Sequence, residues 1–212
     1  MFVAVAGNIG AGKSSLTRVL AQHFGLEPIY EAVDENPYLT DFYADMPRYA
    51  FHSQMFFLAR RLEQHISKVN SGNRVIQDRT VYEDAHIFAR NLTDEGVLDA
   101  RDFRVYTEMY GAICGALRPP DLLVYLRAEL PTLQRHIARR GRDFERSIDP
   151  DYLARLGTLY ENWFRTYDLS PKIVVEADTL DFVNDPEALR VVLAQLGPWL
   201  ATPILSAHLS DQ

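Results

Sequence analysis

Five short stretches of the chain carry the pattern of buried β-strands. They are Phe2–Ala6, Glu27–Glu31, Arg74–Asp78, Asp121–Arg127 and Lys172–Asp178. All except Glu27–Glu31 have a nearly continuous apolar core, such as Leu122-Leu123-Val124-Tyr125-Leu126. Strands that are hydrophobic on both faces are typical of parallel sheets with helices on both sides. The pattern therefore predicts a five-stranded parallel sheet that is buried on both faces.

Between these stretches, apolar residues recur at the spacing of amphipathic helices. Leu16, Val19, Leu20 and Phe24 follow this spacing, and Gly25 is a typical helix stop. The predicted helices are Ser14–Phe24, about Arg48–Val69, Tyr82–Leu92, Ala100–Leu117, Pro131–Arg140, Tyr152–Tyr167 and Pro186–Leu200. Because strands and helices alternate, we predict one α/β domain over residues 1–212.

The composition excludes several classes of protein. The 212 residues are 47% hydrophobic and 24% charged, which is typical of a globular protein and excludes disorder, collagen or a coiled coil for the whole chain. The 22 Lys and Arg residues face 29 Asp and Glu, for a net charge of −7. An acidic protein is poorly suited to coating a phosphate backbone, so we expect no nucleic-acid partner.

The chain also lacks the signals of export and membrane insertion. The apolar start, 1–6, is too short for a signal sequence, and no run approaches the ~20 apolar residues of a membrane span. The single cysteine, Cys114, excludes an intramolecular disulfide and lies in an apolar, helix-like run typical of a buried side chain. We therefore expect a cytoplasmic protein with no membrane partner.

The most specific motif is a phosphate-binding loop that follows the first strand. The residues Gly7-Asn8-Ile9-Gly10-Ala11-Gly12-Lys13-Ser14 fit G-x-x-x-x-G-K-[ST], a match expected by chance in roughly 1% of chains this long. A strand precedes the motif and an amphipathic helix follows it, as the motif requires. A glycine-rich turn of purely structural role is the alternative interpretation.

Each residue type in this loop suits a nucleoside triphosphate. Glycines allow successive backbone N–H groups to face phosphate oxygens beside a helix N-terminus. Lys13 would place a cation between the β- and γ-phosphates, and the Ser14 hydroxyl would bind Mg²⁺. Only three residues of the chain are lysines, and one of them stands at this position. The predicted ATP site comprises the loop residues Gly7, Asn8, Ile9, Gly10, Ala11, Gly12, Lys13 and Ser14, together with Ser15.

The other motifs narrow the class of P-loop protein. The chain has no N-K-x-D sequence of the kind that reads guanine in GTPases, and ATPase motors need additional modules. A small phosphotransferase is therefore favoured, and its acceptor must bind opposite the P-loop.

Acidic and basic residues end the second and third predicted strands, at the edge where open α/β folds bind ligands. Glu31 could accept a proton from an attacking hydroxyl, although a solvated acid is the alternative. Asp78 could hold a Mg²⁺-bound water, and Arg79 could neutralise the transferring phosphoryl group. A surface salt bridge between Asp78 and Arg79 is the alternative for this pair.

A cluster of arginines follows the fourth predicted strand. Arg135, Arg139, Arg140 and Arg142 lie within eight residues around Gly141. A solvated basic helix face would explain them, but so would a lid over about 135–149 that brings guanidinium groups to phosphates and excludes water. We predict that these four arginines contact ATP.

Together these motifs resemble the deoxyribonucleoside kinase family over nearly the whole chain. The P-loop, Tyr30-Glu31, Phe51-x-x-Gln54, the stretch from Asp78 to Asp84, and Arg140-Gly141-Arg142 occur in the order and spacing of that family. The stretches 75–84 and 35–39 are most similar to bacterial deoxyadenosine/deoxycytidine kinases. Apart from the P-loop, no single one of these motifs is specific for the family, but their combination is.

The resemblance implies roles for residues on the acceptor side. Glu31 matches the general base for the nucleoside 5′-hydroxyl, and Gln54 matches the glutamine that pairs with the base edge. Tyr43 and Asp151 match the pair that holds the 3′-hydroxyl, where some relatives have glutamate in place of Asp151. Arg61 and Asp84 match the polar pair that favours adenine or cytosine over thymine. Phe88 matches the aromatic residue that packs on the base; for Phe88 and Phe56, core packing is the alternative.

The chain departs from the family in the lid. His136 stands where the family has an arginine one helical turn before Arg140, so Arg135 or Arg139 could take over its role.

We therefore predict transfer of the γ-phosphoryl group of ATP, with Mg²⁺ held by Ser14 and Asp78, to the 5′-hydroxyl of a deoxyribonucleoside. Lys13, Glu31 and Arg79 are the predicted catalytic residues. Deoxyadenosine and deoxycytidine are the expected substrates, with deoxyguanosine less favoured. A nucleoside monophosphate kinase and a non-catalytic accessory subunit of the same fold are the alternatives. The family also implies a homodimer, for which the helices Arg48–Val69 and Ala100–Leu117 are candidate surfaces.

Overall fold

A five-stranded parallel sheet forms the centre of the protein. The computed structural model describes residues 1–31, 35–142, 145 and 148–201. The strands are β1 (Phe2–Ala6), β2 (Glu27–Ile29), β3 (Val75–Asp78), β4 (Leu122–Arg127) and β5 (Lys172–Glu176). They lie in the order β2-β3-β1-β4-β5, with Val3 of β1 aligned with Ile76 of β3 and Leu122 of β4. Because all pairs are parallel, the carboxyl ends of the strands meet at one edge.

Helices and helical turns connect the strands. They are α1 (Lys13–Phe24), α2 (Leu39–Ala44), α3 (Met46–Gln64), α4 (Val81–Asp84), α5 (Arg90–Asp94), α6 (Ala100–Cys114), α7 (Leu130–Arg140), α8 (Pro150–Thr166) and α9 (Pro186–Leu200). Two π-helical turns, His65–Val69 and Ala85–Ala89, extend α3 and join α4 to α5. Within the described residues, no helix is long and apolar enough to cross a membrane.

Both faces of the sheet are covered, as the strand pattern predicted. Side chains alternate along a strand, so Phe2 and Ala4 of β1 pack on one face while Val3 and Val5 pack on the other. Residues of α3, α6 and α8 complete the first layer, and residues of α1 and α9 complete the second. The predicted α/β class with one parallel sheet of five strands is confirmed.

The boundaries of several elements differ from the prediction. The second strand ends at Ile29, so Glu31 lies beyond the strand, and β5 ends at Glu176 rather than Asp178. The short helix α2 was not predicted. The helix predicted over Tyr82–Leu92 is divided by a π-helical turn. Such a turn adds one residue to the repeat, which a 3.6-residue hydrophobic pattern does not reveal.

Candidate active site

A cavity opens at the carboxyl edge of the sheet, beside the phosphate-binding loop. Its volume is about 110 Å³. Its wall carries the charged residues Lys13, Glu31, Arg61, Asp78, Arg79, Asp84, Arg140, Arg142 and Glu145. Aromatic side chains from α2, α3, the second π-helical turn and α8 complete it: Phe42, Tyr43, Phe57, Phe88 and Tyr152. Charge is thus concentrated next to an apolar surface.

The phosphate-binding loop connects β1 to α1 and is held by its own asparagine and lysine. The Nζ of Lys13 donates to the carbonyl oxygen of Asn8 (3.0 Å), and the Nδ2 of Asn8 donates to the carbonyl oxygen of Leu153 in α8 (2.8 Å). Burial lowers the pKa of Lys13 to about 8, with the positive charge of Arg79 acting in the same direction. Asn8 therefore fixes the loop to α8, while Lys13 lies at the cavity wall.

Helix α7, the first part of the predicted lid, packs directly on this loop at Gly10. Gly10 has a φ of +83°, and a Cβ added there would lie 2.8 Å from the carbonyl oxygen of Leu133. The Nδ1–H of His136 donates to the carbonyl oxygen of Gly10 (2.8 Å). Only glycine combines this conformation with so close an approach. His136 thus contacts the loop itself, on the backbone.

Ser14 and Asp78 bring two oxygen ligands together below the loop. The Ser14 hydroxyl donates to Asp78 Oδ2 (2.5 Å), whereas Asp78 Oδ1, which is buried, has no hydrogen-bond partner among the described residues. Burial raises the pKa of Asp78, and the charge of Lys13 opposes that effect. Hydroxyl and carboxylate oxygens suit Mg²⁺, which keeps several waters and binds few protein groups.

Glu31 lies at the centre of the cavity wall between two arginines. Its Oε1 accepts a hydrogen bond from Arg61 Nη2 (2.5 Å) and lies 3.5 Å from Arg79 Nη1. Burial alone would raise the pKa of this carboxyl, but the charges of Arg79, Arg61 and Lys13 outweigh burial and lower it. Glu31 is therefore an ionised carboxylate, able to accept a proton at neutral pH.

Arg61 joins Glu31 to a second carboxylate, Asp84. Arg61 Nη1 donates to Asp84 Oδ2 (2.7 Å), and both side chains are almost fully buried. Burial raises the pKa of Asp84 to about 7, although Arg61 opposes the shift. The guanidinium of Arg61 also lies 5.0 Å from the ring centroid of Phe57. One arginine thereby sets the positions of two acids.

Arg79, directly after β3, has an unusual backbone. Its φ is +63°, in the left-handed region that non-glycine residues rarely adopt. The guanidinium lies 4.1 Å from the ring centroid of Phe88, within cation–π distance. Strained residues of this kind cluster at functional sites, and here the strained residue is the one beside Glu31.

Two of the four predicted lid arginines reach the cavity. Arg140 forms a two-pronged pair with Glu145, with Nη2–Oε1 at 2.6 Å and Nε–Oε2 at 2.9 Å, and Arg142 Nη1 lies 3.5 Å from Glu145 Oε1. Arg135 is exposed and donates to the Thr132 hydroxyl (3.1 Å). Arg139 is also exposed and, like Arg135, does not line the cavity. Residues 143, 144, 146 and 147 of the predicted lid lie outside the described residues.

Most of the predicted acceptor residues converge on the cavity. Gln54, Tyr43 and Phe88 line it together with Glu31, Arg61, Arg79 and Asp84. Asp151 does not: it is exposed near the start of α8, where its backbone N–H donates to the Asp149 side chain (3.0 Å). Phe56 also lies outside the cavity lining, beneath the guanidinium of Arg60. Ser15 follows the loop in α1 and does not line the cavity.

Comparisons with known proteins match this arrangement over almost the whole chain. The sequence profile of the deoxynucleoside kinases matches residues 3–198. The chain is 41% identical to a deoxyadenosine kinase of Lactobacillus acidophilus, covering 92% of this chain and 94% of that one. The chain belongs to the deoxynucleoside kinase family. It is also 35% identical to a deoxyadenosine/deoxycytidine kinase of Bacillus subtilis, covering 92% of this chain and 90% of that one. Deoxyguanosine kinases occur among the relatives at 34% and 38% identity.

The fold agrees with solved members of the family. A deoxyadenosine kinase from M. mycoides with bound dATP superposes with a TM-score of 0.81 at 30% identity, covering 93% of this chain and 99% of that one. The resemblance drawn from the motifs is thereby confirmed, as are the P-loop type of fold and the assignment of the chain as a deoxynucleoside kinase, a phosphotransferase of nucleotide salvage.

The sequence analysis of this kinase overlooked residues that the structure brings to the site. Glu145 is 4% exposed, lines the cavity and lies close enough to Tyr43 to raise the pKa of that phenol, for which burial is the main cause. The sequence did contain a clue to this residue, because Glu145 comes three residues after Arg142, a spacing at which the two side chains can pair. Phe57, rather than Phe56, lines the cavity. The two neighbours on α3 are equally apolar, and only the packing of the helix distinguishes them.

Proposed function

We propose that this deoxynucleoside kinase transfers the γ-phosphoryl group of ATP to the 5′-hydroxyl of deoxyadenosine and deoxycytidine. The observation that carries the proposal is Glu31, a partly buried carboxylate kept ionised by Arg61 and Arg79 between the phosphate-binding loop and an aromatic pocket. A hydroxyl bound in the pocket would lie between the Glu31 carboxylate on one side and the triphosphate on the other. That placement is the main requirement of phosphoryl transfer.

Glu31 and Arg79 have complementary tasks in this proposal. Glu31 accepts the proton of the 5′-hydroxyl as its oxygen attacks the γ-phosphorus. Arg79, 3.5 Å from Glu31, stabilises the charge on the equatorial oxygens of the transferring group. The ion pair between them also fixes both side chains before substrate binds, so little reorganisation accompanies the reaction.

The phosphates lie against backbone N–H groups of residues 7–14 and the ammonium of Lys13. Arg140 and Arg142 complete the shell when the phosphates replace Glu145 as their partner. Ser14 and Asp78 would hold Mg²⁺, whose charge offsets that of the phosphate oxygens. Asp78 Oδ1, which has no hydrogen-bond partner within the described part of the chain, is the atom that would bind this ion.

The base pocket favours a ring with an amino group at C6 of a purine or C4 of a pyrimidine. In its ionised form Asp84 offers an acceptor, with Arg61 holding it in place (2.7 Å), and Gln54 offers both a donor and an acceptor. The amino group of adenine or cytosine donates to a carboxylate, whereas a carbonyl of guanine or thymine at the same place is repelled by it. Phe88 supplies an apolar surface for the ring.

Tyr43 and Glu145 are the proposed partners of the sugar hydroxyl. Both line the cavity, and the charge of Glu145 acts on the Tyr43 phenol. Glu145 replaces Asp151 in this role, because the side chain of Asp151 is exposed outside the cavity.

The Glu31→Gln variant tests the proposal, since it keeps the shape of the side chain and removes the base. Asp84 still pairs with Arg61 in this variant, so the arginine is not left alone. We expect the kcat for deoxyadenosine to fall by ~10²–10⁴-fold, the usual effect of general-base catalysis. The matched control is Glu35→Gln, an exposed acid paired with Arg60, which should keep wild-type kcat. A Glu31→Gln kcat within about threefold of wild type contradicts the role of the base.

The alternative acceptor, a nucleoside monophosphate, is tested by assaying acceptors with and without a 5′-phosphate. That phosphate would have to bind beside Glu31. The two described arginines there, Arg61 and Arg79, already pair with carboxylates. We therefore expect no phosphorylation of the monophosphates, and equal use of both acceptors would contradict the proposal.

We also propose that the kinase is a cytoplasmic homodimer built from one domain, with a lid over about 135–149. In support of the dimer, α6 exposes Val105 (43%) and Met109 (44%), and Ile66 beside α3 is 56% exposed. Burial of these side chains would remove apolar surface from water. Light scattering should give a mass near twice 24.2 kDa, and a mass near 24.2 kDa at micromolar concentration would contradict the dimer.

A further inference from the structure

One fully buried acid has no part in the reaction proposed above. Glu83 of α4 is 0% exposed, although it lies only four residues from Arg79 and does not line the cavity. Burial raises its pKa, whereas the charge of Arg79 opposes that shift. A buried acid of this kind destabilises the protein unless it has hydrogen-bond partners, so its contacts indicate what it does.

Both oxygens of Glu83 are engaged, and by different elements. Oε1 accepts the backbone N–H of Thr80 (3.0 Å), which completes a capping box at the start of α4. Oε2 accepts the hydroxyl of Tyr160 (2.6 Å), a residue of α8 that is itself 0% exposed. Glu83 therefore links the turn after β3 to α8.

These contacts fix the backbone on both sides of Arg79. The N–H of Arg79 donates to the carbonyl oxygen of Val5 (2.9 Å), and the next N–H along the chain, that of Thr80, donates to Glu83. Arg79 between them holds a φ of +63°. Conformations of this kind persist only where the surroundings over-determine them. Here β1 supplies one restraint and Glu83 the other.

We infer that Glu83, held by Tyr160, is a positioning residue that maintains the left-handed backbone of Arg79 and thereby places its guanidinium for phosphoryl transfer. The inference rests on the proposed role of Arg79. The guanidinium lies 3.5 Å from Glu31 and 4.1 Å from the ring centroid of Phe88, and both distances depend on the direction in which the backbone presents the side chain.

The first test compares two substitutions of Glu83. Glu83→Ala removes the acceptor for Thr80, and we expect kcat to fall ~10–100-fold because a misplacement of about 1 Å costs up to ~10² in rate. The KM for ATP and for deoxyadenosine should stay within about threefold. Glu83→Gln keeps an oxygen for Thr80 and an amide for the Tyr160 oxygen, so its kcat should return to within about threefold of wild type. Equal losses in both variants would refute positioning by geometry.

A matched control separates positioning from the loss of a helix cap. Asp99, the N-cap of α6, accepts the backbone N–H of Arg101 (2.7 Å) outside the cavity lining. Asp99→Ala should lower the melting temperature and leave kcat unchanged. If Glu83→Ala behaves in the same way, with a lower melting temperature and wild-type kcat, the inference is wrong.

The decisive test combines the substitutions with Arg79→Lys. If Glu83 acts through Arg79, then Glu83→Ala costs no further kcat once Arg79→Lys is present, whereas independent effects multiply. Tyr160→Phe should likewise cost no further kcat in the Arg79→Lys background, and it replaces Glu83→Ala if that variant does not fold. If the losses in kcat multiply in the double variant, the inference is wrong, but the proposed role of Arg79 is unaffected. An Arg79→Lys variant with wild-type kcat overturns both the inference and the proposed role of Arg79.

Discussion

Glu31 and Asp84 share Arg61 and yet differ in their ionisation. The charges of Arg79, Arg61 and Lys13 outweigh burial and lower the pKa of Glu31. Burial raises the pKa of Asp84 to about 7 and outweighs the opposing charge of Arg61. Environments that separate the pKa values of two acids in this way commonly give the acids different tasks. Here Glu31 suits the role of general base, and Asp84 suits recognition of the nucleobase.

This difference predicts the pH dependence of substrate capture. As pH falls through about 7, Asp84 takes up a proton and loses the acceptor for the amino group of the base, while Glu31 remains ionised. The kcat/KM for deoxyadenosine at saturating ATP should therefore fall on the acid side with a midpoint near 7, since kcat/KM reports the groups of the free enzyme. The measurement is a pH series of initial rates.

The Asp84→Asn variant is the control for this pH profile, because any pH dependence that arises from protonation of ATP remains in the variant. Its kcat/KM should be lower and should lack the step near pH 7. A wild-type profile that is flat between pH 7.5 and 5.5, or a variant that keeps the same step, would contradict the assignment.

At the scale of elements, α7 is joined to the phosphate-binding loop by its backbone as well as its side chains. His136 donates to the Gly10 carbonyl oxygen, and Gly10 leaves room for the carbonyl oxygen of Leu133. Helix α7 thus contacts the backbone of the loop through His136, which stands at the position where the resemblance implied an arginine. Arg135 and Arg139 are both exposed and lie outside the cavity lining.

We predict that His136→Ala weakens ATP binding and leaves nucleoside binding intact. Loss of one neutral hydrogen bond, worth about 0.5–1.5 kcal/mol, corresponds to a rise of roughly two- to tenfold in the KM for ATP. The KM for deoxyadenosine should not change. Steady-state kinetics with each substrate varied in turn measures both, and the exposed neighbour Gln134→Ala is the control. A change confined to the nucleoside KM would contradict this role.

The elements show what a sequence pattern contains and what it omits. Strands with continuous apolar cores predicted the parallel sheet because burial on both faces leaves no other choice of residue. The π-helical turn Ala85–Ala89 stayed hidden, although it carries Phe88 towards Arg79. The resemblance placed Asp151 at the site, but its side chain is exposed outside the cavity lining, whereas Glu145 lines the cavity.

At the scale of the whole molecule, a protein with a net charge of −7 can bind a nucleoside triphosphate because its cations are concentrated at one place. Lys13, Arg61 and Arg79 line one cavity, and Arg140 and Arg142 line it as well. The described acids of the cavity, Glu31, Asp78, Asp84 and Glu145, offset part of this positive charge. The sequence located these cations along the chain, whereas their pairing with acids required the folded structure.

The most direct test is the kcat/KM of the purified kinase for deoxyadenosine, deoxycytidine, deoxyguanosine and thymidine, each at saturating ATP and Mg²⁺. A carboxylate acceptor at Asp84 predicts values for deoxyadenosine and deoxycytidine at least about tenfold above those for the other two, a difference of about 1.4 kcal/mol, which is the scale of one hydrogen bond to a charged group. Highest efficiency with deoxyguanosine or thymidine would contradict the account.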